Sequence, residues 1–467
     1  MALVKNQQIE LTITGMSAEG SGVGRYRASD DERGMVVFVP QTAVGDRILC
    51  HIVKVQKSLA YGRVAALLEA GSDRLAEEQS CEAFGRCGGC VFRHVTYEAE
   101  LRYKQQRVAD ALARIGGLTI SPEPIVGAPQ PDRYRNKAQY PVAAGAHRLL
   151  MGFYAARSHR LIEQRDCALQ PEVFRAALDG IVKWGKETNV PAYDEDTGAG
   201  LLRHVYLRQA EATGQVMVCL VCTSGKLPQP ERLVALLRER VSGLASVVVN
   251  LNRADTNVVL GDTCFTLWGQ PYIEDVLCGL RFRLSPQSFY QVNRTQAERL
   301  YALAAENAAL TGTETVLDLY CGTGTIGLSM AAKAGQVIGV EVVEQAVEDA
   351  RRNAEENGIT NARFLCADAG RAAAQLQTEG VHPDVVIVDP PRKGCAEAVI
   401  DVIAEMAPAR VVYVSCDPAT LARDLVLFAD KGYRTTRVTP VDMFPRTAHV
   451  ETVCLLSKLH ADQHISS

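Results

Sequence analysis

From about residue 286 onward, β-branched runs alternate with amphipathic helical stretches, a pattern that few folds accept. TVLDLY (315–320), QVIGVEVV, ARFLCADA, DVVIVDPP and RVVYVSC each read as a buried strand, separated by helices such as TIGLSMAAKA, EQAVEDARRNAEENG and TLARDLVLFADKG. Strands joined through helices pair in parallel, so residues 286–467 are expected to form a doubly wound α/β sheet with ligands at the carboxyl ends of its strands. TVCLLSKL is expected to close that sheet.

The N-terminal half has a different texture. Residues 1–65 give five short runs, LTITGM, GVGRYR, MVVFVP, DRILCHIVKV and YGRVAALL, broken at Gly20, Gly22, Gly24 and Val44-Gly45-Asp46. They suggest either a small barrel of the oligonucleotide-binding sort or a β domain that only packs against its neighbour. Residues 66–285 read as a central α+β domain. Within it, Cys81, Cys87 and Cys90 stand in CEAFGRCGGC, and Cys167 is the best fourth ligand by position. Four thiolates suit structural zinc or a [4Fe-4S] cluster. The chain has fourteen cysteines, no apolar leader and no membrane-length apolar run, so a cytoplasmic, reducing setting is expected, with clustered cysteines binding metal or acting in catalysis rather than pairing as disulfides. Cys219 and Cys222 fall on opposite faces of a strand and read as core.

Tyr97 to Ile115 has helical periodicity and ends at Gly116-Gly117. Between Asp132 and Arg165, seven basic residues meet only Asp132 and Glu163, with Tyr134, Tyr140, Phe153 and Tyr154 interleaved. Cations for phosphates and rings for bases suit single-stranded RNA. A net charge of −4 does not oppose this, because binding depends on a local basic face.

At the strand ends, Gly322-Thr-Gly324-Thr-Ile-Gly327 could turn tightly against a cofactor, Glu341 could accept from ribose hydroxyls, and Asp368 is placed for an adenine amino group. NAD and S-adenosylmethionine fit these equally. Asp389-Pro-Pro-Arg392-Lys-Gly394 holds a carboxylate towards a planar target. In VVYVSCDPATLARD, Cys416 ends a strand beside the start of a helix, where a thiol ionises more easily; the plainer reading is a small hydrophobe closing the strand. A cysteine there implies methylation at carbon, with a thiolate activating a pyrimidine and a base removing a proton. His449 and Glu451 are candidates, on one face of a strand by alternation.

SFYQVN (288–293), DLYCGTGTIGL, DPPRKG, YVSCDPATLARDL and FPRTAHVE together resemble the RNA uracil-C5 methyltransferase family, over nearly the whole chain. The resemblance implies a Rossmann-like catalytic sheet and S-adenosylmethionine held by Gln291, Tyr320, Glu341 and Asp389, with Cys416 as nucleophile and Glu451 as base. It implies that residues 1–65 are a TRAM domain and that Cys81, Cys87, Cys90 and Cys167 hold a [4Fe-4S] cluster, as in the 23S ribosomal-RNA branch, with zinc the lesser alternative. It further implies that the helix near 98–118 packs on the catalytic domain. Thr325 stands where some members carry Asn. The expected partner is structured ribosomal RNA with its target uridine flipped out, and not a membrane; a monomer is expected. The rivals are transfer-RNA methylation, a catalytically silent RNA-binding or redox-responsive iron-sulfur protein, and, less favoured, cytosine-C5 methylation.

Overall fold

The computed structural model describes residues 3–27, 34–75 and 81–459. Its first five strands, β1 (Gln8–Met16), β2 (Gly22–Tyr26), β3 (Met35–Val39), β4 (Arg47–Val55) and β5 (Leu59–Glu69), close into a barrel in the order β1-β2-β3-β5-β4. Strict alternation drives the closure. Ile9, Leu11 and Ile13 point inward from β1 and meet Val37, Ile48, Cys50 and Ile52, while the residues between them face out. The barrel is narrow enough that a Cβ on Gly62 would stand 2.2 Å from the Cys50 Sγ.

After the cysteine-rich turns comes α1 (Tyr97–Arg114), whose first turn is capped by Thr96 accepting from the Ala99 N–H. The central domain then lays down β6 (Lys137–Ala144), β7 (Leu149–Tyr154), β8 (Leu161–Glu163), α2 (Glu172–Thr188), β9 (Leu202–Gln209), β10 (Val216–Cys222), α3 (Pro230–Arg240), β11 (Leu244–Leu251) and β12 (Thr263–Gly269). The strands form one sheet in the order β12-β11-β10-β9-β6-β7-β8. Cys222 packs with the side chains of α2 and α3, and Cys219 lies on the opposite face with Tyr206 and Val248.

A hairpin of β13 (Ile273–Leu277) and β14 (Leu280–Leu284) follows. Its apolar residues join the core of the C-terminal sheet beside α4 (Arg294–Ala308), although the sequence pattern sets its break near residue 285. That sheet contains β15 (Thr315–Leu319), α5 (Thr325–Met330), β16 (Gln336–Glu341), α6 (Glu344–Glu356), β17 (Ala362–Cys366), α7 (Ala369–Thr378), β18 (Val385–Val388), α8 (Glu397–Met406), β19 (Arg410–Ser415), α9 (Pro418–Asp430), β20 (Tyr433–Val441) and β21 (Glu451–Lys458). Its order is β17-β16-β15-β18-β19-β21-β20, parallel from β17 to β19 and antiparallel beyond. The apolar segment TVCLLSKL was expected to close the sheet; instead β21 is inserted between β19 and β20. The reason is burial: β21 is covered on both faces over most of its length, whereas the first half of β20 alternates with solvent and takes the edge.

Helices α4, α5 and α6 pack on one face, and α7, α8, α9 and α1 on the other. The order reverses at β15, which opens a crevice at the carboxyl ends of β15, β16 and β18. Among the described residues no helix is long and apolar enough to cross a membrane.

Candidate active site

Strand register brings the reactive side chains together. Ser415, the last residue of β19, pairs with Thr452 of β21, so one step further Cys416 stands opposite Glu451. Val388 of β18 pairs with Tyr413, which sets Asp389 on the neighbouring strand end. By alternation Asp318, Asp389, Cys416 and Glu451 share the face of Val316, Ile387, Val414 and Val453, which line the core under α4 to α6. One thiol and three carboxyl groups therefore crowd the same side of the sheet.

That crowding governs their protonation. Burial, then the charge of Asp389, pushes Glu451 up to about 8, with Arg392 pulling the other way. Burial raises Asp389 to about 7. Burial together with Asp389 and Glu341 lifts Asp318 to about 7 against one hydrogen bond from the Gly327 N–H. Cys416 is raised to about 11 by burial first and then by Glu451 and Asp389; Arg392 opposes. The expectation that the helix end eases this thiol's ionisation is thus reversed. Asp417 takes the helix end for itself: its Oδ1 accepts from the Ala419 and Thr420 N–H groups at 2.9 and 3.1 Å.

Helix α9 also fixes Arg392. The Thr420 hydroxyl donates to the Arg392 carbonyl at 3.2 Å, Arg423 Nη2 donates to the Lys393 carbonyl at 2.9 Å, and Asp424 Oδ2 accepts from the Cys395 N–H at 2.8 Å. The turn needs Gly394, whose φ is +77° and whose absent Cβ would stand 2.4 Å from Asp424. His449 and Glu451 do not share a strand face as expected, because the strand begins only at Glu451. His449 sits before it, half-buried, 3.3 Å from Arg392 Nη2. Burial and the cations Arg392, Arg107, Lys104 and Arg135 hold His449 down to about 4, so it is neutral.

The cofactor crevice is built from turns. β15 runs into Tyr320, Gly322 and Gly324, with φ of +65°, +54° and +80°. Glu341 accepts from the Gly322 N–H at 3.1 Å through Oε2 and from Val342 and Val343 through Oε1. Asp368 uses Oδ1 to cap α7. Gln291 lies in a loop tied to the central domain by Asn136 Nδ2, which donates to the Gln291 carbonyl at 2.9 Å, and to the C-terminal segment by Asn293 Nδ2, which donates to the Met443 carbonyl. Thr325, the departure from Asn, exchanges a hydrogen bond with the Tyr301 hydroxyl at 2.9 Å. Val342 and Val343 are 66% and 54% exposed, apolar surface beside Glu341 that sequence reasoning passed over. Asp318 Oδ1 is buried with no hydrogen-bond partner among the described residues. A glycine turn, a carboxylate at the end of the second strand, exposed apolar side chains and an orphaned acceptor fit an adenosine-bearing cation such as S-adenosylmethionine.

Away from the sheet, Cys81, Cys87, Cys90 and Cys167 line one cavity with Phe84, Phe153, Arg93 and Arg135. Among the described residues no three His, Cys, Asp or Glu side chains converge as a group that could hold a metal ion, so the side chains do not form a closed ligand set. The donor chemistry still fits a thiophilic centre. Burial, then Cys167 and the other thiols, pushes Cys90 up to about 12, and burial raises Cys167 to about 11, a cost that a bound cation would remove. Arg133 holds the Cys167 segment, donating to Asp166 and to the carbonyls of Cys167 and Gln170.

The basic stretch differs from its expected role. Tyr134 and Tyr140 are buried, donating to the Pro445 carbonyl and to Gln170, so they pack rather than stack on bases. Arg133, Arg148 and Arg165 pair with Asp166, Glu163 and Asp179. Phe153 and Tyr154 are half-buried.

The family model of tRNA (uracil-5-)-methyltransferases matches residues 269–459, and that of the TRAM domain matches residues 4–65. Uncharacterized RNA methyltransferases of Halalkalibacterium halodurans and Clostridium tetani are 44% and 42% identical to this chain, each over 97% of both chains. A solved structure, the Pyrococcus abyssi tRNA (uracil-54, C5)-methyltransferase in complex with S-adenosyl-L-homocysteine, is 27% identical with a TM-score of 0.76, covering 96% of this chain and 100% of that one.

Proposed function

We propose, for a chain that belongs to the S-adenosylmethionine-dependent RNA uracil-C5 methyltransferase family and carries a TRAM domain, that its target is a uridine of structured ribosomal RNA and that methylation passes through a covalent bond from Cys416 to C6. The observation that carries the chemistry is the register setting the Cys416 turn opposite Glu451. C5 of uracil is a poor nucleophile until a thiolate adds at C6 and the ring electron pair shifts towards C5 and the C4 carbonyl. S-adenosylmethionine supplies the electrophilic methyl group when bound. Cys416 provides the thiolate and Arg392 the positive charge beside it. Glu451 then takes the C5 proton, the C5–C6 double bond reforms, and the thiolate is released. Gln291, Tyr320, Glu341 and Asp389 are the residues that would hold S-adenosylmethionine, with Gly322 and Gly324 allowing close approach and Asp368 facing the adenine. The base must leave its stack to reach Cys416.

Cys81, Cys87, Cys90 and Cys167 are the proposed ligands of a [4Fe-4S] cluster, with zinc as the alternative. Arg93 and Arg135, which line the same cavity, would offset the negative charge of four thiolates. Protein purified without oxygen should be brown and carry iron and sulfide, and Cys167→Ala should lose most of that iron. A colourless sample with stoichiometric zinc would assign zinc instead.

A transfer-RNA target is the second reading, favoured by the substrate of the Pyrococcus abyssi protein. Mass spectrometry of nucleosides from separated RNA fractions of a deletion strain distinguishes them. Loss of 5-methyluridine from ribosomal RNA is the expected outcome; loss from transfer RNA alone would overturn it.

A further inference from the structure

Helix α1 lies some 340 residues before the segment it grips. Residues 97, 100, 104 and 107 recur at helical spacing on one face of α1, and alternate residues of the segment 442–448 dock on them. Asp442 accepts from the Tyr97 hydroxyl at 2.7 Å and from Lys104 Nζ at 2.6 Å. The Phe444 carbonyl accepts from Lys104 Nζ at 3.2 Å, and the Arg446 N–H donates to Glu100 at 2.7 Å. Arg107 Nη1 donates to the Ala448 carbonyl at 2.6 Å. Lys104, Glu100 and Asp442 are almost wholly excluded from solvent, so this ladder is fixed structure rather than a surface contact.

Arg107 differs from the other rungs because it also reaches the opposite wall. Its Nη2 lies 3.5 Å from Asp417 Oδ2, the residue directly after Cys416. One guanidinium therefore spans the two segments that end in the nucleophile and the base. Asp417 can serve both partners, since Oδ1 caps α9 and Oδ2 faces Arg107.

We propose that Arg107 is a positioning residue for methyl transfer, the brace that sets the spacing between the Cys416 turn and the segment leading to Glu451. The proposal rests on the covalent reading given above. Without the brace each segment keeps its own anchors, α9 its Asp417 cap and residues 442–446 their Lys104 and Glu100 contacts, while their separation is released. A displacement of this kind, on the order of 1 Å, costs up to about 100-fold in rate without touching the cofactor.

The test uses full-length protein and RNA carrying 5-fluorouridine at the target. With S-adenosylmethionine present, methyl transfer leaves C5 carrying fluorine where the proton would be; fluorine cannot leave as a proton does, so the methylated Cys416 adduct persists and its rate of appearance reads on a denaturing gel. Arg107→Ala should slow adduct formation about 10-fold to 100-fold while S-adenosylmethionine affinity, measured calorimetrically, stays unchanged. Arg107→Lys, able to reach one acceptor but not both, should recover part of the rate. Asp417→Asn keeps the cap oxygen and removes the acceptor for Arg107; it should slow the adduct too and add little on top of Arg107→Ala. Trapping at the wild-type rate by Arg107→Ala would overturn the proposal, as would full multiplication of the two effects or an equal loss of cofactor affinity. Failure of the wild-type protein to trap would overturn the covalent reading and this proposal with it.

Discussion

Cys416→Ala is expected to lower methyl transfer to uridine by about 10⁴-fold or more while S-adenosylmethionine affinity stays within about two-fold of the wild-type value. The separation follows from where the side chain stands. Cys416 lies just past the end of β19 and is half-buried, so trimming it leaves the strand pairing with β21 intact. Helix α9 keeps its cap, because Asp417 rather than the cysteine satisfies its first N–H groups. The proposed cofactor contacts are carried by other strand ends, at Tyr320, Glu341 and Asp368. Only the group proposed to add to C6 is removed, and without that addition C5 has too little electron density to take a methyl group. Incorporation of labelled methyl into RNA, set beside calorimetric titration with S-adenosylmethionine, measures both quantities. Turnover within about ten-fold of wild type would rule out the covalent route.

The strand ends carrying Asp389 and Cys416 were legible because each is the polar break at the end of a β-branched run, a signal local to a few residues, whereas Glu451 opens β21 and stood out only through the segment FPRTAHVE. The same locality explains what was missed. The raised thiol of Cys416 depends first on burial and then on Glu451 and Asp389, which only tertiary packing and strand pairing bring about, while the helix end that sequence alone assigned to the thiol's benefit is capped by Asp417. The grip of α1 on residues 442–448 joins partners 338 to 346 residues apart, with no periodicity linking them. Tyr134 and Tyr140 were misjudged because charge density along a stretch says nothing about which way its rings face. β21 and β20 could be ordered only by comparing their two-sided burial, since both read as strands.

Glu451→Gln is expected to accumulate a covalent protein–RNA complex on unmodified RNA and to reduce turnover by about 10²- to 10⁴-fold. The carboxamide has nearly the same shape, and the site is buried, with Val441 paired to residue 451 on one side and the Cys416 turn on the other, so packing is retained. Adduct formation and methyl transfer do not need the base, but release does: until the C5 proton is taken, the pair that reforms C5–C6 is unavailable and the thiolate cannot leave. The pH dependence carries a second signature. Burial and Asp389 hold the Glu451 carboxyl at about 8, so below that pH it is protonated and cannot accept, and wild-type kcat, which includes release, should rise as pH increases through about 8. That inflection should vanish in Glu451→Gln. Ionised Glu451 also raises the neighbouring thiol, so above pH 8 the variant should form its adduct faster than wild type even while it fails to release it. Should Glu451→Gln turn over with no trapped complex, the proton acceptor lies elsewhere. Neutral His449, 3.3 Å from Arg392, is then the group whose replacement by Ala would have to carry the loss.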